Sequence, residues 1–310
     1  MDLLEQLNQQ FSIDNHLTFM QGKGGLVMMS VTTHHANATI SLHGGQVLSY
    51  TPIDNDKDNE NYRNHNLLFV SNNAYFKNGK AIKGGAPICW PWFAAHKEDE
   101  TLPFHGFVRD KAWQVHSTEC ADNGDVVITL VFNDTEQTRK LWPYSFELNE
   151  VITVGASLGI DLITHNTGSQ AFDLTQAIHT YFRVGDITRV KVTGLEGKSY
   201  LDKVEQFAVK NQTGPIMVNQ EVDRIYQHVD SSLVIHDEVY NRNIHIEHTG
   251  SATAVVWNPW VEISKHSQDL ENDSYQHFIC VETANAADDI ITVAADEAHT
   301  LSVKYHIQRQ

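Results

Sequence analysis

The sequence predicts an all-β protein, a large antiparallel β-sandwich with a few short helices. Two observations lead there. Short runs rich in Val, Ile, Thr, Phe and Tyr alternate apolar and polar residues with a period of two, and turn-forming clusters separate them. Long helical periodicities are scarce. Strands are expected over 38–42, 47–50, 126–132, 146–154, 158–164 and 172–178, and again over 188–192, 233–236, 244–248, 254–257, 277–282 and 300–307. Asn123-Gly124-Asp125, Asn166-Thr167-Gly168-Ser169 and His248-Thr249-Gly250-Ser251 mark turns. Short helices are expected over 1–10 and 134–141. With no fixed-period repeat and no linker rich in Pro, Gly or Ser, residues 1–310 read as a single domain.

Composition narrows the functional classes. The 310 residues are 41% hydrophobic and 20% charged, as in a soluble globular chain. Three widely spaced cysteines, Cys89, Cys120 and Cys280, suit a reducing compartment better than a disulfide framework. The acidic, polar N-terminus lacks the features of a signal peptide, and no apolar run approaches the length of a membrane span. A cytoplasmic location is the expectation. The formal net charge of −17, with no local run of Lys and Arg, speaks against nucleic acid or membrane partners. It also means that an anionic ligand needs cations focused in one cleft.

Four segments carry side chains suited to chemistry. The first is Lys83-Gly84-Gly85-Ala86-Pro87-Ile88-Cys89-Trp90-Pro91-Trp92-Phe93. Paired glycines permit close backbone approach, and the prolines stiffen the segment. Its aromatic faces suit the C–H face of a sugar, or else a rigid core crossover. The second, Leu102-Pro103-Phe104-His105-Gly106-Phe107-Val108-Arg109, could turn an imidazole and a guanidinium into one pocket, although His105 taken singly, one of 18 histidines, reads more readily as structural than as functional. In the third, Ile178-His179-Thr180-Tyr181-Phe182-Arg183, a strand puts His179, Tyr181 and Arg183 on one face. That face is either a binding surface or a solvated side. In the fourth, Phe278-Ile279-Cys280-Val281-Glu282-Thr283, four apolar residues lead into Glu282, as if a carboxylate ended a buried strand, paired with a cation or poised as a base. Val255-Val256-Trp257-Asn258-Pro259-Trp260 reads as a further strand running into an aromatic loop.

Other chemistries lack their signatures. The chain has no Gly-x-Gly-x-x-Gly, P-loop, Gly-x-Ser-x-Gly, Cys-x-x-Cys or His-Glu-x-x-His. The polar stretch Asp54-Asn55-Asp56-Lys57-Asp58-Asn59-Glu60-Asn61 lacks the glycine and terminal glutamate of a calcium loop and reads as a solvated surface loop. No metal site and no cofactor are expected.

Taken in order, Lys-Gly-Gly-Ala-Pro-Ile-Cys-Trp-Pro-Trp-Phe, His-Gly-Phe-Val-Arg, His-Thr-Tyr-Phe, Trp-Asn-Pro-Trp and Val-Glu-Thr resemble the aldose 1-epimerase superfamily, in its glucose-6-phosphate 1-epimerase branch. The resemblance implies a galactose mutarotase-like supersandwich with a cleft on one face of a sheet. It implies an isomerase that interconverts the α and β anomers of a hexose 6-phosphate, and therefore a small sugar or sugar phosphate as partner. A monomer without cofactor is expected. It also implies roles: His179 as general acid at the ring oxygen, Glu282 as general base at the anomeric hydroxyl, His105 as a further histidine beside the sugar, Arg109 and Lys83 on hydroxyls or the phosphate, and Asp202 on sugar hydroxyls. Two positions depart from the branch. Lys83 stands where arginine is frequent, giving up a bidentate fork, and Phe104 stands where some members carry glutamine. A mutarotase of unphosphorylated aldoses and a non-catalytic carbohydrate-binding sandwich are the competing readings.

Overall fold

The computed structural model describes residues 1–53, 65–230 and 232–309. The polar stretch 54–61 lies outside them. Antiparallel sheets dominate, as the alternation predicts. One sheet has nine strands and faces another of eight, flanked by a four-stranded sheet and a two-stranded ribbon. The nine-stranded sheet is anchored by Phe146–Val154 and Leu158–Asn166, whose residues alternate buried and half-buried along their whole length. Their inward residues Leu148, Ile152, Ile160 and Leu162 meet Tyr226, Val256, Ile279 and Val281 of the eight-stranded sheet in one continuous apolar core. Burial of that core is the main term holding the layers together.

Several elements differ from expectation for identifiable reasons. The 172–178 run is two strands. Phe172–Leu174 pairs with Ile291–Val293, while Gln176–Ile178 pairs with Phe278–Asn285 and with Ile88–Cys89. The chain changes sheet at Thr175, whose N–H donates to the Pro91 carbonyl and whose hydroxyl accepts from Phe93 N–H. The 188–192 run begins as a 3-10 turn, Ile187–Arg189, capped by the Asp186 carboxylate before Val190–Thr193 extends. The aromatic loop expected after Val255 is a helix, Trp260–His266. Asn258 anchors its start: its side-chain oxygen accepts from Trp260 N–H while its Nδ2 donates to the Tyr275 and Phe278 carbonyls. Strands with mixed or polar composition, such as Gln114–Cys120 at a sheet edge and Val222–Gln227, give no clean alternation and escape the sequence reading. Among the described residues, no helix is long and apolar enough to cross a membrane.

One carboxyl is placed against the grain of the core. Glu150 projects from Phe146–Val154 and is fully buried beside Gly45 and Trp113, and neither of its oxygens has a hydrogen-bond partner among the described residues. Burial holds its carboxyl well above the usual range. A raised folded pKa means that the folded state keeps a proton the unfolded state has released. The associated stability is therefore complete below the unfolded value and declines as pH rises toward the folded one. Glu150→Gln removes that titration. Its unfolding midpoint in urea is expected to gain on wild type progressively from pH 5 to pH 8, and a constant offset across that interval would refute the neutral-carboxyl assignment.

Candidate functional site

The eight-stranded sheet has a second face, turned away from the core, and His179, Glu282 and His105 gather there with Lys83 and Arg109 acting on them, whereas Asp202 falls in the row of Arg224 and Val256 on the opposite side. Gln176–Ile178 and Tyr181–Arg183 both pair with Phe278–Asn285 in one continuous register, Ile178 opposite Thr283 and Tyr181 opposite Cys280. That register sets His179 opposite Glu282. Alternation then sorts the side chains. Thr180 and Phe182 turn inward, where the Thr180 hydroxyl lies 2.6 Å from Tyr305 Oη. His179 and Tyr181 turn outward, their rings stacked at 4.9 Å and 10°. His179 Nε2 lies 3.3 Å from Glu282 Oε1. Arg183 also leaves the inward row, but its guanidinium lies over the Phe69 ring at 5.5 Å. The strand bearing Glu282 continues to Asn285, so the carboxylate sits mid-strand rather than at a strand end.

Both members of the pair are buried, and each keeps a polar atom without a partner among the described residues: His179 Nδ1 and Glu282 Oε2. Leaving such atoms unpaired costs about 1–3 kcal/mol each, so a ligand that supplies partners gains from a site already desolvated. Burial pushes the Glu282 carboxyl well above its usual range, and the nearby Asp223 carboxylate adds to the effect. Burial pushes the His179 imidazole well below its usual range, with Lys83 and Arg109 acting in the same direction. A carboxylate in this setting is a stronger base, and an imidazolium a stronger acid, than either would be in water.

His105 is brought to the same place by a strained turn. His105 and Gly106 both have positive φ, 66° and 74°. At Gly106 a Cβ would lie 1.8 Å from the Trp90 carbonyl oxygen, which explains the glycine in the His-Gly pair. The turn sets the His105 ring 5.5 Å from that of His179. His105 Nδ1 accepts from Ala94 N–H at 3.1 Å, which fixes the neutral tautomer with its proton on Nε2. Burial, then the neighbouring His179, hold its pKa well down.

The cations come from separate loops. Lys83 precedes the Gly84-Gly85 pair, where added Cβ atoms would lie 2.4 Å from the Phe69 and Val47 carbonyl oxygens, respectively. Buried Gln46 ties this loop down by donating to the Ile82 carbonyl at 3.3 Å and to that of Gly84. Lys83 Nζ then reaches over the Trp257 ring at 5.4 Å, with Asp269 at 4.0 Å. Arg109 donates to the Phe104 carbonyl at 2.7 Å and, among the described residues, has no carboxylate within ion-pair distance. Asp202 is also buried, and its Oδ2 lies 3.1 Å from Lys210 Nζ.

The tryptophans of the proline-rich loop serve elsewhere. Trp90 is fully buried, its indole N–H donating to Thr164 Oγ1 at 3.0 Å. Trp92 donates to the Pro103 carbonyl and packs on Phe107. The aromatic walls of the site are Tyr181 and Trp257, the latter edge-on to His179 at 5.9 Å. A hollow of about 770 Å³ lined by Trp92, Trp142, Tyr144 and Phe172 contains none of the six candidate residues. Sequence reasoning missed Asp223 and Lys203, whose ends are 2.7 Å apart. Their only signal was a charged residue within a strand of weak alternation and a lysine directly after Asp202.

A large antiparallel sandwich with a buried imidazole–carboxylate pair, a neutral histidine and converging cations on the outer face of one sheet defines a protein built for acid–base work on a polar ligand. The chain belongs to the aldose 1-epimerase family, whose model matches residues 28–306. It is 37% identical over 264 residues to a protein of Escherichia coli strain K12 named "Putative glucose-6-phosphate 1-epimerase", covering 85% of this chain and 84% of that one. A solved "putative mutarotase" from Salmonella typhimurium superposes with a TM-score of 0.87 at 31% identity, covering 100% of each chain. A galactose mutarotase-like protein from Clostridium acetobutylicum shares the fold, with a TM-score of 0.72 at 14% identity over 98% of this chain and 100% of that one.

Asp223 offers a direct test of the electrostatics. Removing its negative charge makes an added proton on the His179–Glu282 pair less favourable. The acid limb of the pH–kcat profile of Asp223→Asn is therefore expected to move to lower pH, and an unmoved limb would show that Asp223 does not act on the pair.

Proposed function

We propose that this protein interconverts the α and β anomers of a hexose 6-phosphate, with glucose 6-phosphate as the preferred substrate, by acid–base opening and closing of the sugar ring. The observation that carries this reading is the buried opposition of His179 and Glu282 at 3.3 Å, on a face where each keeps an atom without a partner among the described residues.

Opening a cyclic hemiacetal removes a proton from O1 and delivers one to O5 as the C1–O5 bond breaks and the C1 carbonyl forms. O1 and O5 are both bonded to C1, so two groups side by side can serve both. Glu282 takes the proton from O1 and His179 gives its proton to O5. After rotation about C1–C2, His179 recovers the O5 proton as O5 attacks the opposite face of the carbonyl, and Glu282 returns a proton to O1. The pair starts and ends with one proton, and the atoms balance without any further group. Each positioned transfer contributes about 10²–10⁴-fold. In this proposal His105 donates its Nε2 proton to a sugar oxygen, Arg109 and Lys83 hold the phosphate, and Asp202, steadied by Lys210, accepts from sugar hydroxyls. Residues 1–310 act as one domain, in the cytoplasm and as a monomer, with no cofactor and no nucleic acid or membrane partner.

Anomer-exchange NMR tests the pair: His179→Ala and Glu282→Gln are each expected to lower kcat by about 10²–10⁴-fold. Near-wild-type exchange in either variant would remove that residue from the chemistry. For the substrate, loss of a charged hydrogen bond, about 1.5–3 kcal/mol, predicts that Arg109→Ala raises KM for glucose 6-phosphate by roughly ten- to hundredfold with little effect on free glucose. Equal effects on both sugars would favour a mutarotase of unphosphorylated aldoses.

A further inference from the structure

The proposed phosphate partners leave a third cation unassigned. Lys203 opens a 3-10 turn, Lys203–Glu205, directly after the strand Ser199–Asp202. Its Nζ lies 2.7 Å from Asp223 Oδ2, and the two side chains are 21% and 19% exposed, neither sealed in the core nor free in solvent. The sheet register fixes where this contact sits. Asp223 is opposite Trp257, Trp257 is opposite Cys280, and Cys280 is opposite Tyr181. Asp223 therefore lies in the same outward row as the two aromatic walls of the site, one step of alternation from the row of Glu282 and His179. Lys83 reaches the Trp257 ring from one side of the cleft, and Lys203 meets Asp223 at the other end of the same row, one residue beyond Trp257.

The charge balance makes this placement informative. The chain carries 22 Lys and Arg against 39 Asp and Glu, yet Lys83, Arg109 and Lys203 all act on His179. The charge of Lys203 also acts, as a smaller contribution, on His105 and Glu282. Asp223 holds Lys203 in a part-buried setting that costs the carboxylate its solvation, and burial outweighs the lysine in moving its pKa upward. A dianionic group entering the cleft is a stronger partner for an ammonium than a single carboxylate in that setting.

We propose that Lys203 is a specificity-determining residue for the phosphoryl group of the substrate, held in readiness by Asp223 and exchanged onto the phosphate when the sugar binds. This rests on the hexose 6-phosphate reading above. The exchange involves no covalent step. An ammonium trades one oxygen anion for another, on a side chain long and flexible enough to turn without moving the strand.

A purely structural ion pair and an exchanging one predict opposite patterns. If the bridge merely props the turn, breaking it from either end has the same effect. If Lys203 serves phosphate and Asp223 competes for it, the two ends act in opposite directions. The measurement is anomer exchange with glucose 6-phosphate and with glucose, on the plateau of the pH profile, plus competitive inhibition by inorganic phosphate. Lys203→Met is expected to raise KM for glucose 6-phosphate and Ki for phosphate by about tenfold or more, with kcat within about twofold of wild type and KM for glucose unchanged. Lys203→Arg should restore most of the affinity. Asp223→Asn should leave Ki for phosphate the same or lower it. An increase in phosphate Ki in both Lys203→Met and Asp223→Asn, or equal losses on both sugars, overturns the inference. Should Lys203→Met fail to accumulate as folded protein, Asp223→Asn decides alone, because weaker phosphate inhibition in that variant contradicts competition. A wild-type protein inactive on glucose 6-phosphate would defeat the functional reading itself, whereas an active wild type with an indifferent Lys203→Met defeats only this inference.

Discussion

The site depends on one antiparallel register. Because Ile178 pairs with Thr283 and Tyr181 with Cys280, His179 has no choice but to face Glu282, and the pleat sends both side chains to the same side. A slip of one residue along either strand would turn one of them into the apolar core. The inward residues guard against that slip: Thr180 is bonded to Tyr305, and Phe182 packs edge-on to the same ring at 5.1 Å. Contacts between the two large sheets thus hold the geometry of a site that neither sheet encloses.

Around this pair, loops contribute what strands cannot. Three cations approach from different directions because each follows a backbone feature that fixes it: the glycine pair wedged against Phe69 and Val47, the left-handed turn at His105 and Gly106, and the end of the strand at Asp202. The result reconciles an acidic chain with a cationic cleft. Screening over about 8 Å at physiological ionic strength weakens distant surface carboxylates, while groups a few ångströms from the ligand are barely screened. Tuning of the pair follows from the same enclosure. Burial dominates the shifts of both Glu282 and His179, so the walls made by Tyr181 and Trp257 help to set both groups even though neither ring carries a charge.

Much of this was legible in the sequence, and the remainder was illegible for physical reasons. Long alternating runs such as Phe146–Val154 were read at their true limits because one face is wholly buried and the other is not. The split at Thr175 left no trace, since a chain that changes sheet can keep its alternation through the crossing. The ordered motifs pointed to the residues that the fold gathers, His105, His179 and Glu282, because unusual side chains next to glycine or within apolar runs stand out against the background. The tryptophans of the proline-rich loop misled in part: their composition suits a sugar-binding wall and a core crossover alike, and their burial places Trp90 in the core. Lys203 and Asp223 could not be singled out, since a lysine in a turn and an aspartate in a mixed strand look like any solvated pair until the register sets Asp223 opposite Trp257.

The strand Phe278–Asn285 carries two loads on opposite sides. Ile279 and Val281 cement the layers, while Cys280 and Glu282 look out under the loops. A molecule bound on the outward side therefore makes no demand on the seal between the sheets, which lies on the other side of the strand. Cohesion falls to the odd positions of this strand and the outward surface to its even ones, so the outward set could be rewritten for a different ligand while the inward set, and with it the architecture, is left alone.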